Sequence, residues 1–511
     1  MRLISGFFTV GFWTLASRIL GFVRDVLIAG YLGTGVAHQA FVAAFTLPNL
    51  FRRFFAEGAF NMAFVPMFSK RLEAGTDPEG FASDAMSALA GILIVLTVIA
   101  QITMPWLIYA QVAGFAGTEK FDLAVAFGRA AFPYIIFISL AALLSGVLNS
   151  AGRFAAAAAA PVLLNVLFIT GIVLAGALGW DIGWTLIWTV PFAGIGQLAL
   201  VWWAAKRAGF SIMPHWPRWT PELKRLAVIA APAALAGGVV QINLLVGRQV
   251  ASQFDSAISW LYNADRLYQL PLGVVGIAIG IVLLPELSRR LQADDTEAGQ
   301  HAFSRAGEMA LALTVPSAVA LFVVPLPVVG VLFERGAFTA QDTDATAIAV
   351  AVYGLGLPAF VLQKVFQPLY FARENTRTPF HYALVAMIVN AVIAIGLAPL
   401  IGYISAAIAT TIAGWVMFAL LRAGSRKMGE AAQFDARFKR RVWRIVAASA
   451  LMGAMLVLTM LLIGPMFGID GWRYLALLIL IGIGMISYAL IGHWIGAFRL
   501  SDFRNAMRRQ R

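Results

Sequence analysis

Apolar runs of about 20 residues recur from one end of this chain to the other, and they constrain its fold more than any motif does. A run of that length crosses a hydrocarbon core of about 30 Å as a helix. Lipid offers the backbone no hydrogen-bond partners, so the run must satisfy its own polar groups. Reading apolar runs between polar breaks predicts about fourteen spans, at 3–30, 37–68, 86–112, 123–149, 156–179, 184–205, 226–250, 258–287, 306–333, 345–372, 380–401, 403–421, 442–466 and 473–497. Only 12% of residues are charged, about half the share of a soluble chain. The short alternating segments of a membrane β-barrel are absent. The expected fold class is therefore an all-α polytopic membrane protein. In the first run, Arg18 and Arg24 follow closely, which argues for a true span over a cleaved signal.

The basic residues predict an orientation. Of the 38 Lys and Arg, 27 fall on one expected side, among them Lys70, Arg71, Lys206, Arg207, Arg289, Arg290, the linker 422–444 and the C-terminal tail. Only Lys120, Arg335 and Arg473 fall on the other. Positive residues stay inside, so both termini are expected in the cytoplasm, with the chain in a bacterial inner membrane. The net charge of +13 belongs to that inner face, and no nucleic-acid partner is expected. There is no cysteine, hence no disulfide or thiolate chemistry. The five histidines show no metal spacing, and no P-loop or nucleophile elbow is present. Neither an enzyme nor a cofactor nor a metal is expected.

The chain also repeats. "VPMFSKRLEA" at 65–74 resembles "LPELSRRLQA" at 284–293, while Pro133 and Asn165 match Pro358 and Asn390 at a constant offset of 225. A repeat of six spans returns the chain to the same side, so the two copies are parallel, as in many transporters. The expected organisation is an N-lobe at 1–215, a C-lobe at 216–430, and a third region at 431–511 holding a basic linker, two extra spans and a basic tail. Two such lobes imply a central cavity and alternating access.

Charges inside the spans are the candidate site. In "LPNLFRRFFAEGAFNMAFVP", at 47–66, Asn49, Arg53 and Glu57 form a stripe of period four with Arg52 beside it. The first span adds Arg18, Arg24 and Asp25, and the eighth adds Tyr262, Asp265, Arg266 and Gln269. Five arginines facing lipid would cost on the order of 12 to 17 kcal/mol on an insertion scale. The sum favours a wet cavity over lipid exposure. Arg18, Arg24, Arg52, Arg53 and Arg266 outnumber Asp25, Glu57 and Asp265, and an excess of guanidinium suits phosphate. The plainer alternative is a set of structural ion pairs. Arg129 and Arg248 lie near span ends, where snorkelling explains them; Lys364 lies deeper.

The stretches "LPNLFRRFFAEGAF", "SRILGFVRD", "LNSAGRFAAAAAAPVLLN", "YNADRLYQLPLGV", "FERGAFTAQDT" and "FARENTRTP" resemble the MurJ/MviN family of lipid II flippases, within the multidrug/oligosaccharidyl-lipid/polysaccharide exporter superfamily. The resemblance implies a fourteen-helix fold with a cationic cavity and lipid II as substrate, moved from the cytoplasmic to the periplasmic leaflet for peptidoglycan synthesis. It implies binding roles for Arg18, Arg24, Arg52, Arg53 and Arg266, with Asp25 and Glu57 nearby; Asn49 and Asp265, from the polar stripes, are expected to support them. It further implies a groove for the lipid tail at the last two spans, and partners among cell-wall synthesis proteins. Gln39 departs from the family, whose members often carry aspartate there. Three rival readings remain open on the residues themselves, one of them a non-transporting scaffold with a dead transport core, in which the cavity arginines could be replaced freely. A flippase for another polyprenyl-diphosphate would need the same cationic lining, whereas a drug exporter of this fold would need an acidic one.

Overall fold

The computed structural model describes residues 2–52, 59–292, 295–373 and 375–498, and every described element of regular structure is helical. Seventeen α-helices are seen among these residues. Ten helical segments are long and apolar enough to cross a membrane by length and composition. The seventeen described helices reconcile with about fourteen spans because the second span is described in two parts, either side of residues 53–58, and two other spans are each made of two helices. The second span comprises α2 (Val36–Arg52) and α3 (Ala59–Ala74), the fourth α5 (Glu119–Ala131) and α6 (Tyr134–Ser150), and the ninth α11 (Thr296–Val323) and α12 (Pro325–Phe333).

Proline explains the breaks in the fourth and ninth spans. Pro133 has no N–H to continue the ladder, so the fourth span closes on Phe132 N–H to Gly128 O at 2.9 Å and restarts with Ile135 N–H to Phe132 O. Val324, at φ −126°, ends α11, and Pro325 opens α12. Position matters as much as residue type. Pro358, the repeat partner of Pro133, lies inside the unbroken α13 (Ala340–Phe371).

Contacts divide the chain into two compact units. The first holds Met1–Ser259 together with Arg335–Phe338; the second holds Trp260–Glu334 and Thr339–Arg511. This grouping reflects packing, whereas the repeat boundary at 215/216 reflects sequence offsets. In the first unit, α1 (Arg2–Leu32) packs on α7 (Ala155–Leu178), and α7 packs on α8 (Ile182–Arg207). There α9 (Pro221–Ala251) packs on α3 and on α4 (Pro78–Val112), which is why the seventh span groups with the first six.

In the second unit, α13 is clamped between α11 and α15 (Ile404–Ser425), and α14 (Arg377–Ile401) lies along α15. There α16 (Ala436–Ile463) packs on α11 and α17 (Trp472–Trp494) packs on α16. Trp260 and Tyr268 of α10 (Ala257–Gln292) meet Tyr403 and Tyr353, with ring centroids 5.0 and 5.1 Å apart. Several hydroxyls within spans are satisfied by their own helix. Thr97, Thr314 and Ser449 each donate to the carbonyl four residues back at 2.7–2.8 Å, which removes a polar group lipid could not match.

The linker into α16 is held by charge. Arg305 donates to both Glu308 and Asp435, and Arg441 reaches Glu308 at 3.2 Å. Asp435 also caps α16 by accepting from Phe438 N–H at 2.7 Å. Burial pushes the Asp435 carboxyl up, but that N–H and the Arg305 guanidinium together hold it below its ordinary range.

Candidate functional site

Arg24 has the most fully defined surroundings of the expected site residues. Helix α1 carries it toward α7, where it is 9% exposed. Its Nε and Nη2 donate to Asp25 Oδ1 at 3.0 and 2.8 Å, and its Nη1 donates to Asn165 Oδ1 at 2.9 Å. Asn165 is fixed in turn, its Nδ2 donating to Ser17 O at 2.9 Å. The guanidinium carbon lies 5.4 Å from the centroid of the Phe168 ring. A guanidinium has five N–H donors, and these contacts use three. The side chain is thus aimed and partly neutralised while two donors stay available, the arrangement a phosphate-binding arginine needs.

Asn165 entered the sequence reading only as a repeat match. The signal that could have marked it is a carboxamide in an otherwise apolar helix. Asn390, its repeat partner, is likewise buried, at 3% exposed on α14.

The other expected site residues lie in varied surroundings. Arg18 is half-buried on α1, and its Nε is enclosed with no hydrogen-bond partner among the described residues. Arg52 is the half-buried last residue of α2. Asn49 turns back on its own helix, donating to Phe45 O at 2.9 Å. Arg53 and Glu57 lie outside the described residues. On α10, Arg266 lies over Tyr262 with 4.4 Å between the guanidinium carbon and the ring centroid, while Gln269 donates to Asp265. All of these except Asp265, Arg266 and their α10 neighbours belong to the first unit. Arg18, Arg24, Arg52 and Arg266 stand against Asp25 and Asp265 among the described residues, so the balance within these spans is cationic.

Arg129, Arg248 and Lys364, further basic residues of the spans, differ in character. Arg129 is exposed and donates to Gln101 O at 3.2 Å. Arg248 departs from the snorkelling expectation. Its Nη1 donates to Gln111 Oε1 at 2.8 Å, and buried Gln111 donates to Ala43 O at 2.8 Å. A buried glutamine needs an acceptor's match as well as a donor's, and Arg248 provides it. Lys364 is exposed. Gln39 is 2% exposed and donates to Thr34 O at 3.0 Å, closing the turn between α1 and α2.

The second unit also holds an apolar cavity of about 420 Å³ between α11, α16 and α17, lined by Pro316, Val324, Met452, Leu456, Leu480 and Tyr488. It lies at the two spans where the resemblance implies a groove. Among the described residues no group of acidic and histidine side chains could hold a metal ion.

A family model described as lipid II flippase MurJ matches residues 28–481. The chain is 42% identical over 523 residues to a probable lipid II flippase MurJ of Rhizobium tropici, an alignment covering all of this chain and 98% of that protein. It is 44% identical over 519 residues to the counterpart of Rhizobium meliloti, covering 100% and 97%. Among solved structures it is similar to a lipid II flippase MurJ in an inward closed conformation, with TM-score 0.80, 26% identity and coverage of 95% and 98%. An inward-facing multidrug resistance MATE transporter of the MOP superfamily shares the fold at TM-score 0.67, 14% identity and coverage of 81% and 95%.

Proposed function

Because the chain belongs to the MurJ family and is a lipid II flippase working by alternating access, we propose that its span arginines bind the diphosphate of that lipid. The set is Arg18, Arg24, Arg52, Arg53 and Arg266, with Asp25, Asn49, Glu57 and Asp265 holding them in place. The observation that carries this reading is Arg24, buried in a span and aimed by Asp25 and Asn165 with two donors still unused. A pre-aimed guanidinium loses less side-chain freedom on meeting a phosphate than a mobile one, and a charge-assisted contact of this kind is worth roughly 1.5 to 3 kcal/mol. The cavity at α16 and α17 would take part of the polyprenyl tail, since its lining is almost wholly apolar.

In this reading the protein sits in the inner membrane with both termini in the cytoplasm and moves lipid II outward. Support comes from the distribution of its Lys and Arg. Energy would come from the membrane potential or an ion gradient. An inside-negative potential favours outward movement of an anion by roughly 2.3 kcal/mol per charge per 100 mV. Cell-wall synthesis proteins, which make and consume lipid II, would be its partners.

The test is complementation of a flippase-depleted strain, with lipid II transport measured in proteoliposomes. Arg24→Ala and Arg266→Ala should abolish both, and Arg24→Lys should be intermediate, because lysine keeps the charge but loses the fork. Growth at normal expression with either alanine variant would refute the diphosphate site.

A further inference from the structure

The second unit contains a larger cavity that the flippase site does not use, of about 790 Å³, between α11, α13, α15 and α16. That volume falls in the roughly 300–1,000 Å³ range of ligand pockets. Its floor is apolar, built from Leu311, Leu362 and Phe366. Its rim carries Arg422, Arg426 and Lys439, all three exposed. The nearby cations of the same linker behave differently. Arg305, Arg437 and Arg441 are tied to Glu308 or Asp435, whereas none of the rim cations is within ion-pair distance of an acid among the described residues. Packing therefore neutralises one basic set and leaves another along the mouth of an apolar cavity. Trp443 also lines it at 75% exposed, as tryptophans do at headgroup depth.

We propose that this cavity is a binding site for an anionic phospholipid of the inner leaflet. An acyl chain would lie on the apolar floor and the headgroup phosphate would meet Arg422, Arg426 and Lys439. Basic pockets between membrane helices on the cytoplasmic side take anionic headgroups in this way. The chain's own C-terminal tail would meet this rim with like charge, since it carries Arg499, Arg504, Arg508, Arg509 and Arg511 against a single Asp502. The inference rests on the orientation proposed above and is independent of the diphosphate site.

Native mass spectrometry of the full chain in detergent, with added dioleoylphosphatidylglycerol or dioleoylphosphatidylcholine, tests it. The unaltered protein should retain phosphatidylglycerol at least about tenfold better. Arg422→Gln, Arg426→Gln and Lys439→Gln should each lose about fivefold of that preference, in line with the contribution of one cation near an anionic lipid. Val446→Trp, which fills the cavity from its exposed side, should lose the lipid with all charges intact. Replacing Lys206, Arg207 and Lys224 of the first unit, also exposed, should change nothing. Equal loss in that control would mean diffuse attraction and overturn the site, as would retention of phosphatidylglycerol by the Val446→Trp protein. Equal retention of the two lipids by the unaltered chain would give the cavity to acyl or polyprenyl chains in general and overturn the anionic assignment.

Discussion

At the scale of single residues, burial decides what a polar side chain is for. Gln39 stands where family members often carry aspartate, and the sequence alone suggests that an acid would be tolerated. The structure argues otherwise, because the buried Gln39 amide donates to the Thr34 carbonyl. An ionised aspartate has no donor and is one methylene shorter, so the carbonyl would face a like charge. Gln39→Asp should destabilise the purified protein by about 1 to 3 kcal/mol, and by more than Gln39→Ala, in thermal unfolding. An aspartate variant as stable as the parent would show that the Thr34 bond carries no weight. Arg24 teaches the same lesson from the other side. Its place in a span was legible as a charge out of context, but its partner Asn165 lies 141 residues away, and no local pattern points to it.

At the scale of elements, α1 ends on a contact that its own sequence does not announce. Gly33 adopts φ +57°, and a Cβ there would fall 2.3 Å from the Ala337 carbonyl oxygen. Ala337 N–H donates to Gly30 O at 2.9 Å, which is how Arg335–Phe338 comes to belong to the first unit. Gly75 shares the left-handed backbone, at φ +66°, but nothing lies within 4 Å of its missing Cβ. Gly75→Ala should therefore cost about 1 kcal/mol for backbone strain alone. Gly33→Ala should cost clearly more and lower transport as well. Equal losses for the two would remove any role for the 335–338 contact. The helices themselves were largely legible, since span limits follow from hydropathy. The division within the fourth span was not, because Pro133 and Pro358 look alike in sequence and only Pro133 breaks its helix.

For the whole molecule, orientation is the property on which the direction of transport depends. The chain has no cysteine, so single cysteines report without background. Ser425 lies in the basic linker and would be an obvious probe, but it is 2% exposed. Glu430 and Ala116 are exposed on the two expected sides. In intact cells Glu430→Cys should be protected from an impermeant thiol reagent and Ala116→Cys labelled. The opposite pattern would reverse the orientation and the direction of transport with it.

Hydropathy is a local average, and lipid imposes its demand on each backbone segment separately. The helical class, the spans, the basic asymmetry and the presence of embedded arginines were therefore all determined by the sequence. So was the family, through motifs spread along the chain. Which long-range partner each of several polar side chains meets was decided by tertiary structure. Arg24 meets Asn165, Arg248 meets Gln111 137 residues away, and Arg305 meets Asp435 130 residues away. In a medium of low dielectric, a buried polar group left without a partner is expensive. Helix packing brings such groups together across long stretches of chain, and no short segment of the sequence contains both partners.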